Sequence, residues 1–234
     1  MNPYPLSALL ALVLHLSVGS TTVRGSEALK IPSRDPKAPP ELIDLSTNYN
    51  SSLDESWHAS RRPGNDLSEL PHGLQKLDGI EFDLRGVIQV SGNGAGNARG
   101  PFPKMVHIKV GLRCQRLQFL HGTGFREDQG TQIGTYVVHY ADGKRQEIPI
   151  VYGQDVRDWW AYPQESHQTP RASVAWKGSN GGTRDWGAGV TVQLFRLAWK
   201  NPRPDSIIES IDFIGQPVDA LPFLLAITAE REAP

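Results

Sequence analysis

The sequence predicts an all-β protein built as a two-sheet antiparallel β-sandwich, and three observations carry that prediction. Short runs rich in β-branched and aromatic residues recur at the spacing of sandwich strands. No sustained helical period competes with them. Turn formers, 23 Gly and 18 Pro, separate them. A length of 234 residues with 38% hydrophobic content suits one such domain with a real core and long loops.

The first element in chain order is the apolar run Leu6 to Gly19, which is short for a bilayer span and matches the core of an export signal. Residues 1–25 therefore read as a signal peptide, cleaved near Ser20 or Gly25 where small residues stand. No Lys or Arg precedes the run, so retention as an anchor is the alternative. Once cleaved, the chain carries no membrane span and is periplasmic or secreted. Residues 26–40 include Ile31-Pro-Ser-Arg-Asp-Pro-Lys-Ala-Pro-Pro40, whose prolines forbid regular pairing and favour an extended linker. The β-sandwich domain is expected over residues 41–234.

Strands are expected at Leu42 to Leu45, Ile80 to Val90, Val106 to Leu120, Gly134 to Tyr140, Gln146 to Tyr152, Ser173 to Lys177, Val190 to Lys200, Ile207 to Ile214 and Phe223 to Ala229. Between two of them, Tyr140-Ala-Asp-Gly-Lys144 predicts a hairpin, because Asp-Gly accepts positive backbone angles. In Val190 to Lys200, Val192 and Leu194 fall on one face and Phe195, Leu197 and Trp199 on the other, the pattern of a strand covered on both sides. Phe223, Leu225 and Ile227 are expected to share one face of the last strand. Cys114, the only cysteine, has no internal partner and reads as a small buried hydrophobe in a strand. Ser91 to Gly100 reads as a glycine-rich loop.

Several stretches, taken in sequence order, carry a resemblance to a known group: Ile43-Asp-Leu-Ser-Thr-Asn-Tyr-Asn50, Asn65-Asp-Leu-Ser-Glu-Leu-Pro-His-Gly73, Gly79-Ile-Glu-Phe-Asp-Leu-Arg-Gly-Val-Ile-Gln89, Leu120-His-Gly-Thr-Gly124, His139-Tyr-Ala-Asp-Gly143, Tyr152 to Trp160 and Trp199-Lys-Asn-Pro-Arg-Pro204. Together they resemble an exported jelly-roll domain frequent in Planctomycetes and Verrucomicrobia, related to galactose-binding-like and carbohydrate-binding-module sandwiches. The resemblance spans roughly Glu41 to Thr228. It implies a jelly roll that binds ligands, usually glycans, on loops at one end.

A sugar site needs an aromatic platform for the apolar ring face and polar groups that bond the hydroxyls. Asp158, Trp159 and Trp160 offer both, and the loop Gly178 to Trp186 adds Asn180, Arg184, Asp185 and Trp186. The candidate ligand-binding residues are Trp160, Trp186, Asp158, Arg184 and Asn180. The competing reading is structural: Asp158 pairs with Arg184 to staple two loops, and one or both of Trp159 and Trp160 belong to the core. Trp57-His58 is expected to pack over the sandwich end, and Trp176 and Trp199 to pack within strands.

Other chemistries find less support. Lys plus Arg number 24 and Asp plus Glu 25, with no basic run that could track a phosphate backbone, which argues against nucleic acid. Seven histidines show no zinc-ligand spacing. Leu120-His-Gly-Thr-Gly124 has no nucleophile elbow to accompany it, and His121 reads as a sheet histidine. Asp44, Asn48, Asn50 and Asp54 offer oxygens for a structural Ca²⁺ but lack an ordered calcium spacing. No cofactor, metal or catalytic residue is assigned. The expected function is an exported, non-catalytic module that recognises carbohydrate or another cell-surface ligand. The alternatives are a protein-interaction scaffold, with exposed tryptophans as anchors, and a glycoside or ester hydrolase on the same fold, drawing on Asp155, Asp158, Glu165 or Asp185.

Overall fold

The computed structural model describes residues 29–57, 63–93 and 102–231. The expected signal peptide, His58 and most of the glycine-rich loop lie outside the described residues. Strands β4 (Met105–Leu112), β11 (Ile208–Gly215), β6 (Gln132–Tyr140) and β7 (Arg145–Val151) pair in that order as one sheet. A larger sheet runs β3 (Ile88–Gln89), β12 (Leu221–Glu230), β5 (Arg116–Gly124) and β10 (Thr191–Lys200), with β8 (Trp160–Ala161) and β9 (Ala172–Gly178) both paired to β10. A separate hairpin joins β1 (Gly73–Leu77) to β2 (Ile80–Leu84). Every strand pair is antiparallel, so the chain is an all-β sandwich.

Two apolar layers hold it together. Between the sheets lie Leu117 and Phe119 of β5, Phe195 and Leu197 of β10, and Tyr136, Ile211 and Phe213 of the smaller sheet. Phe119 stacks on Tyr136 at 4.2 Å. On the opposite face of the larger sheet, Leu120, Val192, Leu194 and Phe223 meet Leu53, Trp57, Leu67 and Leu70 of the N-terminal loops and Phe82 and Leu84 of β2. Strand alternation sends successive apolar residues to opposite faces, so strands of the larger sheet feed both layers. The two-sided pattern expected of residues 190–200 is what the structure shows.

Several boundaries differ from expectation for physical reasons. The expected strand at 80–90 breaks into β2 and β3, where Gly86 sits against the Tyr49 ring with no room for a Cβ. The one at 106–120 divides at residues 113–115, where the chain crosses from one sheet to the other. Buried Cys114 lies in that crossing, not in a strand. Leu42 makes only an isolated bridge to Thr228. In β12 a bulge between Leu224 and Ala226 turns Ile227 toward the inter-sheet layer while Phe223 and Leu225 face the other. The Pro-rich segment is tied down from Ile31 onward: Ile31 packs on the core, and Arg34 donates to Asp83 at 3.0 Å and to the Leu42 carbonyl at 2.6 Å.

The hairpin between β6 and β7 forms as expected, yet only Gly143 carries a positive φ. Asp78-Gly79, between β1 and β2, has positive φ at both positions and is the two-residue turn. Its first strand, Gly-Leu-Gln-Lys-Leu, lacks β-branched and aromatic residues, which hides it from propensity. A six-residue helix, α1 (Gly181–Trp186), was not expected either.

Candidate functional site

The stretch from Val151 to Tyr162 is held at both ends before it presents anything to solvent. Asp155 is buried; its carboxylate accepts from Val151 N at 2.7 Å and pairs with Arg171. Residues 158–161 then insert between β5 and β10: Trp159 N donates to the Thr123 carbonyl and the Trp159 carbonyl accepts from Gln193 N, both at 2.8 Å. The two indoles differ in depth. Trp159, 1% exposed, faces the second apolar layer against Trp57 and Phe223. Trp160 is half-buried and packs on the rim of that same layer. Trp159 and Trp57 are therefore core, and Trp160 belongs to the surface.

Helix α1 brings in the second indole. Asn180 caps it, accepting from Thr183 N at 2.8 Å while Thr183 Oγ1 accepts from Asn180 N at 2.9 Å, a reciprocal capping box. Asn180 also donates to the Asp66 carbonyl at 3.1 Å, and Gly182 N donates to the Gly64 carbonyl at 3.2 Å. These bonds dock α1 on the loop that carries Asn65, whose side-chain oxygen accepts from Trp160 Nε1 at 2.9 Å. Trp186, at the end of α1, is 54% exposed and meets Trp160 edge to face at 5.8 Å.

A third ring extends the row. Tyr162 lies 6.4 Å from Trp160, with the Arg126 guanidinium 4.7 Å over its ring. Arg126 binds Glu165 at 2.7 Å and approaches Asp158 at 4.0 Å. Asp158 is nearly enclosed; burial pushes its carboxyl up to about 7, against the opposing pull of the Trp160 N–H that donates to it at 3.1 Å and of Arg126. Trp186, Trp160, Tyr162 and Arg126 thus form a continuous row beside a carboxyl pair.

The five residues expected to bind ligand separate into three kinds. Trp160 and Trp186 come together at the surface. Asp158 lies under the row with Arg126 as its nearest cation, and Arg184 is turned to Glu69 and Ser179, so the expected Asp158–Arg184 staple does not form. The Arg184 hydrogen bond holds the Glu69 carboxyl below its usual range. Asn180 has no exposed surface and is a helix cap, not a ligand contact, because its side-chain oxygen and nitrogen are both committed to the fold. Tyr162, Arg126 and Asn65 were missed. Tyr162 was findable as a further aromatic two residues after Trp160, although it stands past the end of β8; Arg126 and Asn65 are distant in sequence and left no local signal.

The remaining candidates sit elsewhere. His121 is enclosed in β5 between the Tyr136 hydroxyl and the Asp155 carbonyl, each at 3.2 Å, and burial pulls its pKa down to about 4. Asp44 faces Arg85, Asn50 pairs with the Gln89 backbone, Asn48 donates to the His107 carbonyl and Asp54 faces His72. Their oxygens do not converge. No group of His, Cys, Asp and Glu among the described residues is placed to hold a metal ion. Burial raises the Cys114 thiol to about 11. Among the described residues no helix is long and apolar enough to cross a membrane. No protein-family model, no curated protein and no solved structure matches the chain.

Proposed function

We propose that this chain is an exported, non-catalytic carbohydrate-binding module of jelly-roll type, with the row Trp186, Trp160, Tyr162 as its platform. The observation that supports this reading most is the exposed Trp186 indole set edge to face against Trp160. An exposed aromatic surface backed by a rigid sheet suits the apolar face of a pyranose. The planes of Trp160 and Trp186 are inclined by 79°, a twisted platform that matches a twisted polysaccharide better than a flat crystalline one. Arg126 and Glu165 at the edge of the row supply donors and acceptors for hydroxyls. Affinity electrophoresis on a polysaccharide panel tests the reading: wild type is retarded by at least one polymer and Trp186→Ala runs freely. Retardation by none, together with a stable partner recovered on immobilised protein, favours an interaction scaffold instead.

One observation favours a second reading. Asp158, with a pKa near neutrality, lies beside Glu165, which Arg126 keeps paired. A carboxyl of raised pKa beside a second carboxyl group is the arrangement of a glycosidase acid and its partner. Turnover of a chromogenic glycoside that disappears in Asp158→Asn would replace the binding reading with a hydrolase.

A further inference from the structure

On the far side of the loop that carries Tyr162 and Glu165 lies a cavity of about 690 Å³ whose lining includes Arg157, His167, Lys177, Gln154, Ser166 and Ser173. Its lining holds basic and neutral polar groups and no carboxylate. The carboxylates nearby are each turned to a cation: Asp155 to Arg171, Asp78 to Arg196 and Glu165 to Arg126.

Arg157 is the built part of the wall. Its Nε donates to the Gln168 carbonyl at 2.8 Å, and with the Gln129 amide oriented to satisfy both groups, the Gln129 oxygen accepts from both Nη atoms at 2.9 Å. Neutral partners thus fix the guanidinium without cancelling its charge. No carboxylate among the described residues lies within ion-pair distance of Arg157 or Lys177. His167 registers the resulting potential: burial first, then Lys177 and Arg157, hold its pKa below the usual range despite Glu165.

We propose that this cavity is a subsite for a sulfate or carboxylate group, so that the ligand of the aromatic row is an anionic polysaccharide. The inference rests on the carbohydrate-binding reading of that row. The two sites share one loop: Glu165 N donates to the Tyr162 carbonyl at 3.0 Å, and His167 makes a hydrogen bond to the Tyr162 backbone. A sugar ring on Tyr162 would carry its charged substituent toward Arg157, whose fixed guanidinium keeps its charge and one uncommitted N–H on each Nη for an oxyanion, while Lys177 adds a mobile positive charge.

The test is titration calorimetry of the full chain with three polymers: a sulfated galactan, polygalacturonate and a neutral galactan. One of the anionic polymers should bind at least tenfold tighter than the neutral one, and which one tells sulfate from carboxylate. Lys177→Glu and Arg157→Gln should each lose about tenfold of that preference, and added salt should weaken the wild-type interaction as it screens the charges. Lys177 is exposed and outside the core, so its variant separates binding from folding. Equal affinity for charged and neutral polymers, with binding still lost in Trp186→Ala, overturns this inference and leaves the row intact as a sugar site. Binding to none of the three while the wider panel still retards the wild type overturns this inference alone, and retardation by no polymer overturns both.

Discussion

Trp160 and Trp186 touch each other, yet their removal should read out differently. Trp186 is exposed at a helix end, so Trp186→Ala should abolish polysaccharide retardation while moving stability by less than about 1 kcal/mol. Trp160 donates to Asn65 and is half-buried, so Trp160→Ala should cost roughly 2 kcal/mol in urea unfolding as well as binding. Asn180 tests positioning. Asn180→Ala removes the cap and strands buried partners, and should cost about 1–2 kcal/mol while weakening binding only through the misplaced Trp186. At this scale the sequence showed which residue types could meet a sugar and left their partners hidden. Arg184 looked like the mate of Asp158 by type, but Glu69, 115 positions earlier in the chain, reaches it first.

The elements were legible in proportion to their periodicity. β7 alternates, β6, β10 and β11 are mostly apolar runs of strand length, and turn residues lie near their ends, so their limits fell within a few residues of expectation. α1 did not announce itself, because a six-residue helix opening on Gly-Gly has too few turns to display a period. Its position depends on close backbone approach: a Cβ on Gly64, whose φ is +73°, would lie 2.9 Å from Gly181 Cα. Gly64→Ala should therefore lift α1 from its loop, with a loss on the order of 2 kcal/mol in thermal unfolding and a drop in polysaccharide affinity that Gly143→Ala, in the β6–β7 hairpin, does not produce.

Across the whole molecule, two buried groups pull the pH dependence of stability in opposite directions. Asp158 titrates near 7 when folded and near 4 when unfolded, so the stability it confers is complete in acid and is lost as pH rises through about 7. His121 titrates near 4 when folded and near 6.5 when unfolded, so its contribution is complete above about 6.5 and is lost as pH falls through about 4. Each is worth on the order of a few kcal/mol, and they largely offset each other. Asp158→Asn should leave His121 unopposed: calorimetry should find the variant more stable than wild type at pH 8 and more steeply destabilised between pH 6 and 4. A variant whose profile parallels wild type would show that Asp158 is ionised in the folded protein.

The double cover of the larger sheet has a consequence for how the molecule breathes. Amides in the middle of β5 and β10 have apolar layers above and below, so only complete opening can deliver them to deuterium. β7 has one wet face and an unpaired edge, and its amides should exchange through smaller, cheaper openings well before those strands do. An isotope-labelling time course would sort the strands by these layers, with the slowest protons lying beneath the loop that offers Trp160.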